Sequence, residues 1–218
     1  EGGEPDRNLK SLNLTLSEDA ALALRVIWKD FPIAIPLVAL LVLEKKDDDS
    51  TFTTNTLNAA LKSIVAFWCL YRAPESGTHN IDQKIRDLLK NNFSLFTAKG
   101  KTRSINVSEL RAKLEEILDM DSKLNEAHWV EKVQARNIYK NSQSLTRLIL
   151  LAAHHGHEAK GKQPNFVKAN ASIQTLTLRA WVSKDFREVE HICPQSEIEK
   201  PTDDWEKDLK EDPHRIHR

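Results

Sequence analysis

Glycine is scarce in this chain, with six in 218 residues, and neither an Asn-Gly nor an Asp-Gly pair occurs. Those pairs are the strongest short signals for a β-hairpin. Their absence argues against a sandwich or barrel and for a mainly helical fold. Cysteine is scarcer still. Cys69 sits in an apolar helical pattern and Cys193 follows a histidine, two unrelated contexts. A disulfide framework is not expected, which fits a reducing cytoplasm. Neither sign of charge is in excess: Lys+Arg and Asp+Glu both number 32. Any nucleic-acid surface must therefore come from local clustering.

Long apolar runs are missing as well. The longest, residues 31–43, is broken by Pro32 and Pro36 and falls short of the ~20 residues that span a bilayer. A buried helix beginning near Pro36 is expected there, and no membrane partner. The polar opening Glu1-Gly2-Gly3-Glu4-Pro5-Asp6 does not read as a signal peptide. With no initiator Met, the expectation is a fragment or a processed piece. Asp47-Asp48-Asp49 lacks the spaced oxygen ligands and downstream Glu of a calcium loop, and reads as a solvated turn.

Apolar spacing then organises most of the chain into helices. Ser17 caps a first helix to about Lys29, with Glu18 and Asp19 at its positive end. A second runs from about Pro36 to Lys45. A third starts at Thr54 or Asn55 and carries Leu57, Leu61, Ile64, Val65, Trp68 and Tyr71. A fourth covers Asn80 to Lys90. Asn106 and Glu109 resemble a capping box for a helix to Leu118. One long pattern spans Leu124 to Ala153, with Gly156 placed to end it. Lys160-Gly161-Lys162-Gln163-Pro164 is the clearest linker. Short helices are expected at Ser172 to Trp181 and around Trp205 to Leu209. The expected division is a helical domain over residues 10–160 and a small α/β piece over 161–218.

Three groups of residues have both an ordinary and a functional reading. Lys132, Arg136, Lys140 and Arg147 recur at helical spacing along the long pattern. The ordinary reading is a solvated face; the functional one is a basic stripe tracking a phosphate backbone. Glu131 and the zero net charge count against the stripe. His154, His155 and His157 follow an apolar helix, where the macrodipole alone favours them. A metal site there lacks a Cys or carboxylate pair to complete it; phosphate contact together with Lys160 and Lys162 is the better functional reading. Trp28, Trp68, Trp129 and Trp181 lie in apolar helical patterns and are assigned to the core rather than to base stacking.

The most chemical stretch is Glu188-Val189-Glu190-His191-Ile192-Cys193-Pro194-Gln195. A carboxylate and an imidazole stand side by side in a short strand-like run that Pro194 stops. Alternation along a strand points Glu190 and His191 to opposite faces, so both reach one site only where the strand bends or ends. Leu176-Thr177-Leu178, Trp181, the run from Phe186 to Ser196, Trp205 and His214-Arg215-Ile216 together resemble one family. It is the C-terminal HNH-type (ββα-metal) nuclease domain of GmrSD-like type IV restriction enzymes. The match is specific over residues 176–216 and diffuse over 17–153. The family's Gly-Asn-Leu stretch is absent after Ile216, and so is the Asp-Gly-Gln-Gln-Arg-like motif of its nucleotide-hydrolysing domain.

The resemblance implies a mainly α chain ending in a truncated ββα-metal segment. His191 is then the general base and Glu190 a ligand of a divalent ion, Mg²⁺ by its preference for hard oxygen. DNA, foreign or modified, is the implied substrate in bacterial defence. A nucleotide-hydrolysing domain of the same protein is the implied partner. The remaining metal ligand is expected beyond Arg218, so the 218-residue chain alone is expected to cleave DNA poorly. The alternative from a different class is a helical interaction or regulatory module in which Glu190-His191 is structural or degenerate.

Overall fold

The computed structural model describes residues 15–44, 54–75, 77, 80–91, 107–121, 125–136, 138–160 and 167–186. They form a mainly helical body with one small two-stranded sheet. In chain order the helices are α1 (Glu18–Asp30), α2 (Ile35–Glu44), α3 (Thr54–Arg72), α4 (Ile81–Asn91), α5 (Val107–Met120), α6 (Glu126–Gln134), α7 (Ile138–Asn141), α8 (Gln143–His154) and α9 (Leu178–Val182). Single 3-10 turns occupy Pro32–Ala34 and Lys184–Phe186. Strands β1 (His157–Ala159) and β2 (Val167–Ala169) pair antiparallel, with Glu158 opposite Lys168. No helix among the described residues is long and apolar enough to cross a membrane.

Helix α3 is the hub. Leu57, Ala60, Leu61 and Ile64 are fully buried, and Phe67, Trp68 and Tyr71 nearly so. These positions recur at three- and four-residue intervals and cover more than one side of the helix, so α3 packs against α1 on one flank and α5 on another. Helix α1 answers with Ala20, Ala23, Leu24 and Ile27, and α5 with Leu110, Leu114 and Leu118, one residue per turn. Phe31 sits against Phe67 and Trp68 at centroid distances of 6.4 and 6.5 Å, and Phe67 lies 5.6 Å from Tyr71. Ile81, Ile85 and Leu88 of α4 and Leu145 and Leu148 of α8 close the same core.

Several helix boundaries follow the sequence reading closely. Helix α1 starts after Ser17, whose hydroxyl donates to the Asp19 carboxylate instead of accepting from the first turn. The buried Asn58 side chain accepts from the Ser17 N–H and fixes the entry of that helix against α3. Three expectations are corrected. The long helix from Leu124 to Ala153 is not continuous but divides into α6, α7 and α8. Arg136 N–H bonds back to Val133 C=O, a tightened final turn. Ser142 then takes an extended conformation and accepts from the Leu145 N–H as the cap of α8. The expected helix from Ser172 shrinks to α9, capped by Thr177, because Asn170 turns the chain at Ser172. Trp28 is 47% exposed at the edge of the α1 stripe and is not a core residue.

The sheet lies where no strand was expected. The strand expected at Val189 to Ile192 and the helix at Trp205 to Leu209 fall outside the described residues, as does the Asp47-Asp48-Asp49 turn. The expected boundary between residues 160 and 161 falls between two paired strands. Beyond it, Leu176, Leu178 and Trp181 pack on the core formed by the helices.

Candidate functional site

Glu190 and His191, the residues that carry the nuclease resemblance, lie outside the described residues, as does Lys162. The structure does describe the segment that leads to them. Residues 170–181 form a strap that runs back along α8. Its first bonds are at Gly156, which turns the chain with φ +72°. Gly156 N–H donates to Ile173 C=O at 2.7 Å, and Asn170 N–H donates to Gly156 C=O at 2.8 Å. Leu176 N–H then donates to His155 Nδ1 at 3.1 Å. The buried Thr175 hydroxyl donates to Leu151 C=O, one of the carbonyls a helix end leaves open. Further along, the Arg147 guanidinium donates to Trp181 C=O and stacks 4.5 Å from the Trp181 ring centroid. Helix α9, at the far end of the strap, packs on α1.

This arrangement changes what the basic residues do. Lys132, Arg136, Lys140 and Arg147 do not share one helix face, since each break between α6, α7 and α8 resets the helical phase. Arg147 is committed to Trp181. Arg136 donates to Ala73 C=O, the residue after the end of α3, at 3.4 Å. There it stands near Arg72, whose pKa is lowered first by burial and then by Arg136. Lys132, Lys140 and Lys160 are exposed.

Two of the three clustered histidines, His155 and His157, are also taken up by the fold, and His154 is exposed. His155 Nδ1 receives the Leu176 N–H, and His157 Nδ1 donates to His155 C=O at 2.9 Å. Among the described residues no group of three or more His, Cys, Asp or Glu is arranged to hold a metal ion. Across the sheet, Lys168 pairs with Glu158, and Asn170 adds a second bond at 3.0 Å. The Lys168 ammonium first, then Asn170, holds the Glu158 carboxyl below its ordinary range.

Trp129 likewise serves the fold: its indole N–H donates to Leu70 C=O at 2.9 Å and ties α6 to α3. The strap itself, with Thr175 and His155 as its anchors, was not expected from the sequence. Its nearest signals were Gly156 and the Asn170 turn, both readable as chain reversals. No model of a known protein family matches the chain, and no curated protein matches it.

Proposed function

We propose that this chain joins a helical region to the start of an HNH-type nuclease segment, and that the intact enzyme hydrolyses phosphodiester bonds in foreign or modified DNA. The observation that carries this reading is Glu190-His191-Ile192-Cys193-Pro194-Gln195, followed by Trp205 and His214-Arg215-Ile216. In this reading His191 takes the proton of a water whose oxygen attacks phosphorus, while the bond from phosphorus to the leaving oxygen breaks. An imidazole suits that role because its ordinary pKa, ~6.5, is close to working pH. The Glu190 carboxylate is a hard oxygen donor and fits a divalent ion such as Mg²⁺. When bound, that ion stabilises the charge developing on the phosphoryl oxygens. A nucleotide-hydrolysing domain as partner belongs to the same proposal.

The test is nicking of supercoiled plasmid, with and without modified bases, by the full natural protein in Mg²⁺. We expect His191→Ala to lower the rate by at least ~100-fold with the circular dichroism spectrum unchanged. Survival of activity in that variant would show the base to be misassigned. The second reading, a helical interaction module, is favoured by one observation: Arg136 and Arg147 are turned onto the protein's own carbonyls. No cleavage by the full protein on any of these substrates would decide for that reading.

A further inference from the structure

Away from the nuclease motif, a groove of ≈ 420 Å³ opens between α1, α3, α8 and the strap. Its walls are mostly apolar: Leu22 and Ala23 from α1, Val65 and Ala66 from α3, Leu148 from α8 and Leu176 from the strap. The Asp19–Lys62 pair and His155 are its polar members, and Cys69 also lines it. Pockets of 300–1,000 Å³ with apolar walls and a few placed polar groups are those that take small molecules.

The polar groups decide the charge of the occupant. Lys62 Nζ lies 2.8 Å from Asp19 Oδ2. Asp19 also accepts from the Ser17 hydroxyl and from the Ala20 N–H at 2.9 Å. The pair is therefore neutral as a unit and its strong bonds are made. An anion entering the groove competes with Asp19 for Lys62, and a cation competes with Lys62 for Asp19. Burial pushes the Cys69 thiol up to about 12, so it adds no charge. His155 Nδ1 is an acceptor for Leu176 N–H, which leaves the proton of the neutral ring on Nε2 as a donor.

We propose that this groove binds a small uncharged organic molecule with an apolar body and one hydrogen-bond acceptor, such as a ketone, ester or ether. The acceptor meets the His155 donor and the body covers Leu22, Val65 and Leu148. The site does not rest on the nuclease chemistry assigned to Glu190 and His191; among the described residues, Leu176 is its one wall residue that also belongs to the stretch resembling the nuclease family.

Three probes of one chain length test the chemistry on the folded chain: nonan-2-one, nonanoate and nonylamine. We expect nonan-2-one to bind saturably, with NMR shift changes centred on Ala23, Ala66, Leu148 and His155. At about 100 times its Kd the midpoint of thermal unfolding rises by roughly 5–10 °C. Ala66→Trp and Ala152→Trp fill the groove from exposed positions and leave the core in place. Each is expected to weaken the ketone at least tenfold. Tighter binding of nonanoate or nonylamine, no saturable binding at all, or binding unaffected by both Trp variants would each overturn the proposal.

Discussion

Asp19 and Asp30 show how two carboxylates on one helix acquire opposite effects on stability. Burial raises the Asp19 carboxyl, but bonds from Lys62, Ser17 and the Ala20 N–H outweigh it and leave it below its ordinary 3.8. Its stabilisation is thus present above that ordinary value and lost as pH falls through the lower folded one. At Asp30 burial dominates over Ser144, Arg25 and Lys29, and the carboxyl is raised. Its contribution has the reverse sign: stability falls as pH rises from the ordinary value through the raised one. Asp19→Asn is expected to cost under ~1 kcal/mol at pH 7, with the difference from wild type closing in acid. Asp30→Asn is expected to stabilise at pH 7, and that gain also disappears in acid. Urea unfolding of the three proteins at pH 7 and pH 3 checks both; the same sign for both at neutral pH would contradict this account.

Among the elements, the strap has the most to explain. It holds no long helix and makes no extended sheet, yet it is pinned at Gly156, His155, Leu151 and Arg147 in turn. Arg147 supplies both the charged hydrogen bond and the ring contact, and a guanidinium stacks on a ring where an ammonium does not. Arg147→Ala is expected to release α9 from α8 and raise its amide hydrogen exchange roughly 10- to 100-fold, as loss of one charged hydrogen bond allows. Helix α3 should be unaffected, and Arg147→Lys should restore only part of the protection. Equal acceleration in α3 and α9 would mean that Arg147 supports the whole core rather than the strap. Gly156 serves the same element in another way. Its φ of +72° is costly for a side chain, although a Cβ there would meet nothing within 4 Å.

At the scale of the whole molecule, stability rests on α3. Every other long helix that the structure describes reaches it or the residues beside it through the common core. Ile64 is fully buried near its middle. Ile64→Ala is expected to cost 2–5 kcal/mol, the range for a large aliphatic truncated in a packed interior. Met120→Ala, at a side chain 69% exposed, should stay within ~0.5 kcal/mol of wild type. Urea midpoints at constant slope measure both. A loss at Ile64 of under ~1 kcal/mol would mean that the core relaxes around the gap and that α3 is not its centre.

Helix existence was legible because it depends on local spacing. Residues 57, 61, 64, 65 and 68 repeat with the helical period whatever lies opposite them, and α1, α3 and α4 begin and end within a residue or two of where that period places them. The long helix was misread for the same reason. The apolar period runs on across Arg136 and Ser142, while the interruption is made by backbone bonds and by a serine cap that periodicity does not register. The basic stripe depended on that continuity. Its arginines found partners distant in sequence, Ala73 and Trp181. The Glu190-His191 motif stands on sequence alone. The amino-acid order by itself determined the helical class, the main apolar stripes and the chemistry offered at residues 190 and 191. Only the tertiary structure decided which helices surround α3, where the two strands pair, and that a neutral apolar groove lies between α1, α3 and α8. Those outcomes depend on contacts between residues far apart in the chain, which no local period records.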